Sequence, residues 1–154
     1  MKYKTVAAVI AALLLGGYMK ATSKPRGIRN NNPLNIRIGN NWQGETSADG
    51  DGEFEQFNSP EMGIRAAARL LKNYRDIHGL KTIEEIISRW APTSENNTAA
   101  YIASVEQKTG IGRDSILGDS DYIDVIKAMI HHENGEQPYS DLTIHNGFSL
   151  GFYA

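Results

Sequence analysis

The residues best suited to chemistry lie near the C-terminus, in Met129-Ile130-His131-His132-Glu133-Asn134-Gly135. Glu133 follows Ile126 by seven positions, Met129 by four and Ile130 by three, so helical spacing sets it on an apolar stripe. It also falls in the last turn before a glycine, where the helix macrodipole gathers negative charge and disfavours an ionised carboxylate. A carboxylic acid that keeps its proton there can donate it to a leaving group. A carboxylate on a core-facing stripe needs a partner or a role. Residue types leave two readings open: a general acid at the floor of a cleft, or a structural acid, either buried and paired with an arginine such as Arg29 or Arg37 or exposed beyond a frayed helix end.

His131 and His132 beside Glu133, with His145 beyond, raise the question of a metal. Helical zinc ligands pair at i and i+4, whereas adjacent positions point about 100° apart. No third ligand has a recognisable spacing, so neither a metal nor any other cofactor is expected. The simpler reading is two solvated histidines facing a helix C-terminus. The chain has no cysteine, which excludes disulfides, a thiol nucleophile and a zinc ribbon.

The elements that must position Glu133 read as follows. Asn30-Asn31-Asn32-Pro33 is a turn, because Asn side chains bond nearby backbone and Pro33 blocks helix. Leu34, Ile36 and Ile38 alternate with polar residues, which predicts a half-buried strand. Gly39 to Asn41 turn, Trp42 to Thr46 return, an exposed loop runs from Ser47 to Gly52, and Glu53 to Phe57 complete a small meander. Ser59-Pro60 is an N-cap followed by the residue suited to the first helical position. Ile64, Ala67, Ala68, Leu71 and Tyr74 then keep a helical period up to a stop at Gly79. Thr82-Ile-Glu-Glu85 is a capping box for a short helix through Trp90 and Pro92. Thr98 can cap a helix to Thr109, although Asn96-Asn97 also qualify as caps or as donors to acetamido groups. Asp119 or Ser120 caps the helix that ends at His132–Glu133. The predicted class is α+β: four helices and one antiparallel hairpin or three-stranded sheet.

The chain has 154 residues, one domain's worth, and 40% hydrophobic content suffices for an ordinary core. A net charge of −2 supplies no basic field, which argues against nucleic acid as a partner. Lys2 and Lys4 precede an uncharged, Ala- and Leu-rich run from Val6 to Met19. At about 1.5 Å per residue the run spans roughly 21 Å, short of the roughly 30 Å hydrocarbon core of a bilayer. It reads as a signal peptide or an uncleaved signal anchor, and the poor cleavage site Met19-Lys20-Ala21 argues for the anchor. Lys20, Lys24, Arg26 and Arg29 follow it, so flanking charge does not set its orientation.

Three groups of residues carry a resemblance. These are Asn31-Asn32-Pro33-Leu34-Asn35-Ile36-Arg37, Trp42-Gln43-Gly44, and Phe54-x-x-Phe57-x-Ser59-Pro60-Glu61-x-Gly63 leading into the helix with Tyr74. Together they resemble the flagellar-type β-N-acetylglucosaminidase family of the lysozyme-like superfamily. Residues 26–140 are also similar to phage virion-associated murein hydrolases that begin Arg-Gly-Ile-Arg-Asn-Asn-Asn-Pro and end His-Glu-Asn-Gly. In the glucosaminidase family the catalytic glutamate precedes the asparagine-rich turn. Here Glu133-Asn134-Gly135 follows it by about a hundred residues. A circular permutation reconciles the two, since domain termini often lie close together. It requires the end of the 120–133 helix to pack beside Asn30–Pro33.

The resemblance implies a lysozyme-like α+β fold and cleavage of β-1,4-glycosidic bonds in peptidoglycan glycan strands. Glu133 would be the general acid of a lytic transglycosylase or a muramidase/glucosaminidase. Glycosidases commonly use a second carboxyl. Glu45, Glu53 and Glu55 on the hairpin are candidates, with Glu45 first because it follows Trp-x-Gly. Trp42, Tyr101 and Tyr139 offer flat faces for sugar rings, and Asn32 a polar contact. Tyr101 resembles the tyrosine that faces the catalytic glutamate in lysozyme-like lyases, and Trp90 reads as structural. The domains are then a signal anchor or signal peptide at 1–20, a linker at 21–25, a lysozyme-like catalytic domain at 26–140, and an irregular aromatic tail at 141–154. Such a protein would act as a monomer, anchored in a membrane or exported, or carried in a virion, and would face the cell wall during phage penetration or host lysis. The alternative is a non-catalytic, membrane-associated virion or cell-wall-binding protein on the same scaffold.

Overall fold

The computed structural model describes residues 23–46 and 51–154. They form six α-helices: α1 Arg26–Arg29, α2 Pro60–Asp76, α3 Ile83–Trp90, α4 Thr98–Thr109, α5 Asp121–Asn134 and α6 Asp141–Phe152. Local chemistry explains most of their bounds. Ser59 Oγ accepts the Met62 N–H and Pro60 opens α2. The Thr82–Glu85 capping box is complete, with the Glu85 N–H on Thr82 Oγ1 at 3.2 Å and the Thr82 N–H on Glu85 Oε2 at 3.1 Å. Asn97, rather than Thr98, caps α4 by accepting the Ala100 N–H at 3.1 Å. Thr98 is buried, and its hydroxyl donates to the Ala91 carbonyl instead. Gly135, left-handed at φ 75°, ends α5 by donating its N–H to the His131 carbonyl at 2.8 Å.

Helix α5 is central to the core. Tyr122, Val125, Ile126, Met129 and Ile130 are fully buried against residues of α2, α3, α4 and α6. Each large aliphatic side chain so buried contributes about 1.5–3 kcal/mol.

Two expectations are corrected. The α+β class does not hold, because the described residues contain no sheet. The segment read as a meander makes only two isolated antiparallel bridges, Arg37 with Phe54 and Glu45 with Phe57. The reason lies in the asparagines. Asn31 and Asn35 both sit at φ 50°, so the chain coils where a strand would run on. Asn32, fully buried, takes over the hydrogen bonding of a ladder with its side chain. Its Oδ1 accepts the Ile36 N–H, and its Nδ2 donates to the Ile36 and Glu55 carbonyls, all at 2.9 Å. Leu34 and Ile36 are buried as the alternation demands, whereas Ile38 is exposed.

The second correction concerns residues 141–154, read as an irregular tail. They are mostly α6, capped by Ser140 on the Thr143 N–H at 3.2 Å, with Ile144, Phe148 and Phe152 in the main core. Gly147 and Gly151 let α6 lie directly on α2. A Cβ at Gly151 would stand 2.2 Å from the Arg65 carbonyl oxygen. The expected anchor or signal segment, residues 1–20, lies outside the described residues. Among those described, no helix is long and apolar enough to cross a membrane.

Candidate active site

The end of α5 meets the asparagine-rich turn, as the permutation requires. Asn134 Nδ2 donates to the Pro33 carbonyl at 2.7 Å and to the Ile130 carbonyl at 2.9 Å, which locks the helix end onto the turn. Glu133 is half-buried beside this junction. Tyr101, from α4, donates its hydroxyl to Glu133 Oε1 at 3.1 Å, and Asn35 Nδ2 donates to Oε2 at 3.0 Å. Neither Arg29 nor Arg37 pairs with it. Arg29 donates to the Lys24 carbonyl, while Arg37 is bound to Glu53 at 2.7 Å and to Glu95 at 3.7 Å. The buried arginine pair weighed for Glu133 is therefore not what the fold builds.

Tyr101 is 3% exposed, and burial, reinforced by the charge on Glu133, pushes its phenol well above the usual tyrosine range. It is a fixed neutral donor. His132 stacks on it, with ring centroids 3.9 Å apart, and burial lowers the imidazole from its usual value, more than the neighbouring Glu133 raises it. The His132 ring thus backs a neutral Tyr101.

Glu133 opens into a cavity of about 270 Å³. Leu34, Asn35 and Glu133 lie along it with Arg26, Arg37, Glu53 and Phe54 from the amino-terminal segment and Trp90, Ala91, Glu95 and Asn96 from the end of α3. The lining is chiefly polar, with two aromatic residues. Phe54 is covered by the Arg26 guanidinium, 3.8 Å from its ring centre, whereas Trp90 is half-buried. Arg37 bridges the two sides through Glu53 and Glu95. These ion pairs are exposed, so each is worth about 0–1 kcal/mol and can exchange for a ligand.

The structure brings only part of the expected set together. Tyr101 contacts Glu133. Glu45 does not line the cavity; its carboxylate accepts the Trp42 N–H at 2.9 Å. Trp42 and Tyr139 pack on the core away from the cavity, and burial pushes the Tyr139 phenol up to about 12. Asn32 is buried in its backbone-bridging role and is not open to a ligand. Glu53 is the hairpin carboxylate that reaches the cavity. In the sequence, Arg37 reads as a candidate partner of Glu133, Asn96 as a cap or a donor to acetamido groups and Trp90 as structural, whereas Asn35, Arg26 and Glu95 carry no separate signal of a place at the cavity. His131, His132 and His145 do not converge, and no described cluster of His, Asp and Glu could hold a metal.

Glu55 sits on the far side of the segment, 8% exposed. Burial first, then the nearby Glu45, raises its carboxyl above the ordinary 4.5, and a hydrogen bond from the Gly39 N–H offsets this in part. A carboxyl raised in the folded state binds its proton more tightly there than in the unfolded chain. Its contribution to stability is therefore full below pH 4.5 and is lost as the pH rises through the folded value. Glu55→Gln should raise the melting temperature at pH 7, and the gain should vanish at pH 3. An equal gain at both values would exclude titration as its cause.

Over the described residues, fold and site define an all-helical protein with a half-buried acid lining a polar cleft. No family model matches the chain. Over 132 residues it is 52% identical to Protein P5 of Pseudoalteromonas phage PM2, an alignment covering 83% of this chain and 82% of that protein. The chain belongs to the family of Protein P5, and its relative is a phage protein.

Proposed function

We propose that this protein cleaves β-1,4-glycosidic bonds in the glycan strands of peptidoglycan, with Glu133 as general acid. One observation carries the reading. A half-buried carboxyl group on the floor of an open polar cleft is held by two neutral donors and by no cation. Both of its oxygens are hydrogen-bonded while the group still lines the cleft, so it is placed to exchange a proton with a ligand there. The resemblance to murein hydrolases names the substrate class, and the phage relative fits a role in cell penetration or lysis. Trp90 supplies the aromatic face for a sugar ring, and Asn96 and Asn35 supply amides for acetamido groups.

In this reaction Glu133 protonates the glycosidic oxygen as the C1–O bond breaks, and the donors from Tyr101 and Asn35 stabilise the carboxylate left behind. We take the one-carboxylate route, in which Glu133 alone moves the proton. Glu133 then recovers its proton from the sugar's own hydroxyl as that oxygen closes on C1, which yields an anhydro sugar. The protein acts as a monomer facing the wall, held by residues 1–20 or carried in a virion.

The test is digestion of purified peptidoglycan by the full chain, with mass spectrometry of the released fragments. Anhydro-terminated fragments are expected. Reducing ends alone would move the assignment to hydrolysis, and binding without any release would make the protein a wall-binding module.

A further inference from the structure

Two buried oxygens at the junction of α1 and α5 bear on the role of Asn35 beside Glu133. Asn35 Nδ2 donates to Glu133 Oε2, but Asn35 Oδ1 is buried with no partner, and so is Asn134 Oδ1. The two oxygens face the same place. A Cβ built on Gly27 would lie 2.7 Å from Asn134 Oδ1 and 3.0 Å from Asn35 Oδ1. Asn134 cannot turn to relieve this, because its Nδ2 is engaged by the Pro33 and Ile130 carbonyls. Buried acceptors without donors are costly, at about 1–3 kcal/mol each.

An amide has nearly the same shape at both ends, so Asn35 can turn by half a revolution without repacking. Turned, its Nδ2 points into the space over Gly27 that it shares with Asn134 Oδ1, and its Oδ1 faces Glu133 Oε2. An amide oxygen facing a carboxylate is repulsive. Facing a carboxylic acid, it accepts the proton in a hydrogen bond. Asn35 Oδ1 and Asn134 Oδ1 are therefore both partnered only when Glu133 carries a proton. We propose that Asn35 is a positioning residue whose side-chain amide turns with the protonation of Glu133. It holds the acid's proton through Oδ1 before the reaction and stabilises the carboxylate through Nδ2 after it. Asn35 itself neither gains nor loses a proton; that proton passes from Glu133 Oε2 to the leaving oxygen. This rests on the general-acid reading of Glu133 given above.

The orientation of the Asn35 amide tests it. The full chain, 13C-labelled at glutamate carboxyls, is titrated by NMR to place the Glu133 transition, with its signal assigned by its loss in Glu133→Gln, and the Asn35 amide is followed through the same titration. The other charged or titrating groups around Glu133 are Tyr101, His132, Arg26, Arg37, Glu53 and Glu95, and the contacts of the Asn35 amide separate its turn from their titration. Below the Glu133 transition the Asn35 Nδ2 protons should show contacts to Gly27 Hα, and above it to Glu133 and Tyr101. Contacts to Glu133 at every pH would refute the turn. Neither readout uses substrate, so a failure here is distinct from a failure to cleave peptidoglycan.

Discussion

Glu133→Gln should remove peptidoglycan cleavage while leaving the protein folded. A positioned general acid contributes about 10²- to 10⁴-fold to rate, and glutamine has no proton of suitable acidity to give. The replacement is unusually clean here because both neighbours can adapt. Tyr101 can accept from, or donate to, whichever end of the new amide faces Oε1's place, and Asn35 can present either end of its own amide to the other. The melting temperature should stay within about 2 °C of wild type, since no charge pair is broken and no volume changes. Turbidity clearing of peptidoglycan suspensions together with thermal melts measures both quantities. Clearing within threefold of wild type by a folded mutant would end the assignment of Glu133 as the acid.

The largest loss of stability is expected at Gly63, in the first turns of α2. A Cβ there would stand 2.0 Å from the Asn31 carbonyl oxygen and 3.0 Å from Pro33 Cδ. Neither neighbour is a flexible side-chain tip: one is backbone, the other a ring. Relief requires α2 and the turn to separate, and Asn31 is further tied to the Phe57 carbonyl by its Nδ2 at 3.0 Å. Overpacking of this kind costs about 1–3 kcal/mol or more. At about 2–4 °C per kcal/mol for a chain of this size, Gly63→Ala should melt roughly 2–12 °C below wild type. The displaced turn carries Asn35, so cleavage should fall as well, even at temperatures where the mutant is folded. A melting temperature within 2 °C of wild type would show that the turn moves freely on α2.

The site was only partly legible beforehand because its members are chosen by different ranges of interaction. Glu133 stood out because its oddity is local, an acid on an apolar stripe at a helix end. Its partner Asn35 lies 98 positions away, and nothing in the intervening residues marks that contact. Trp42 and Glu45 looked equally suited to line a cleft, since residue type reports what a side chain can do and not where it points. Trp90, read as structural beside Pro92, lines the cavity because α3 ends at its edge. Alternation at Leu34, Ile36 and Ile38 marked burial correctly for the first two but not a strand. Burial needs only an apolar side chain turned inward, whereas a strand needs an unbroken backbone ladder, and here Asn32 claims the Ile36 N–H while Asn31 and Asn35 coil the chain.

The sequence by itself determined the helix starts at Ser59-Pro60 and Thr82, the apolar stripe of α5 and the acid at its end. Each of these follows from interactions within one or two turns, where neighbouring residues supply both partners. Tertiary structure decided that no sheet forms among the described residues, that α6 joins the core, and that Glu133 is met by Tyr101 and Asn35 instead of by an arginine. Those outcomes depend on which distant segments can approach, and approach is set by packing volume at positions such as Gly63 and Gly151, where one added methyl group would hold them apart.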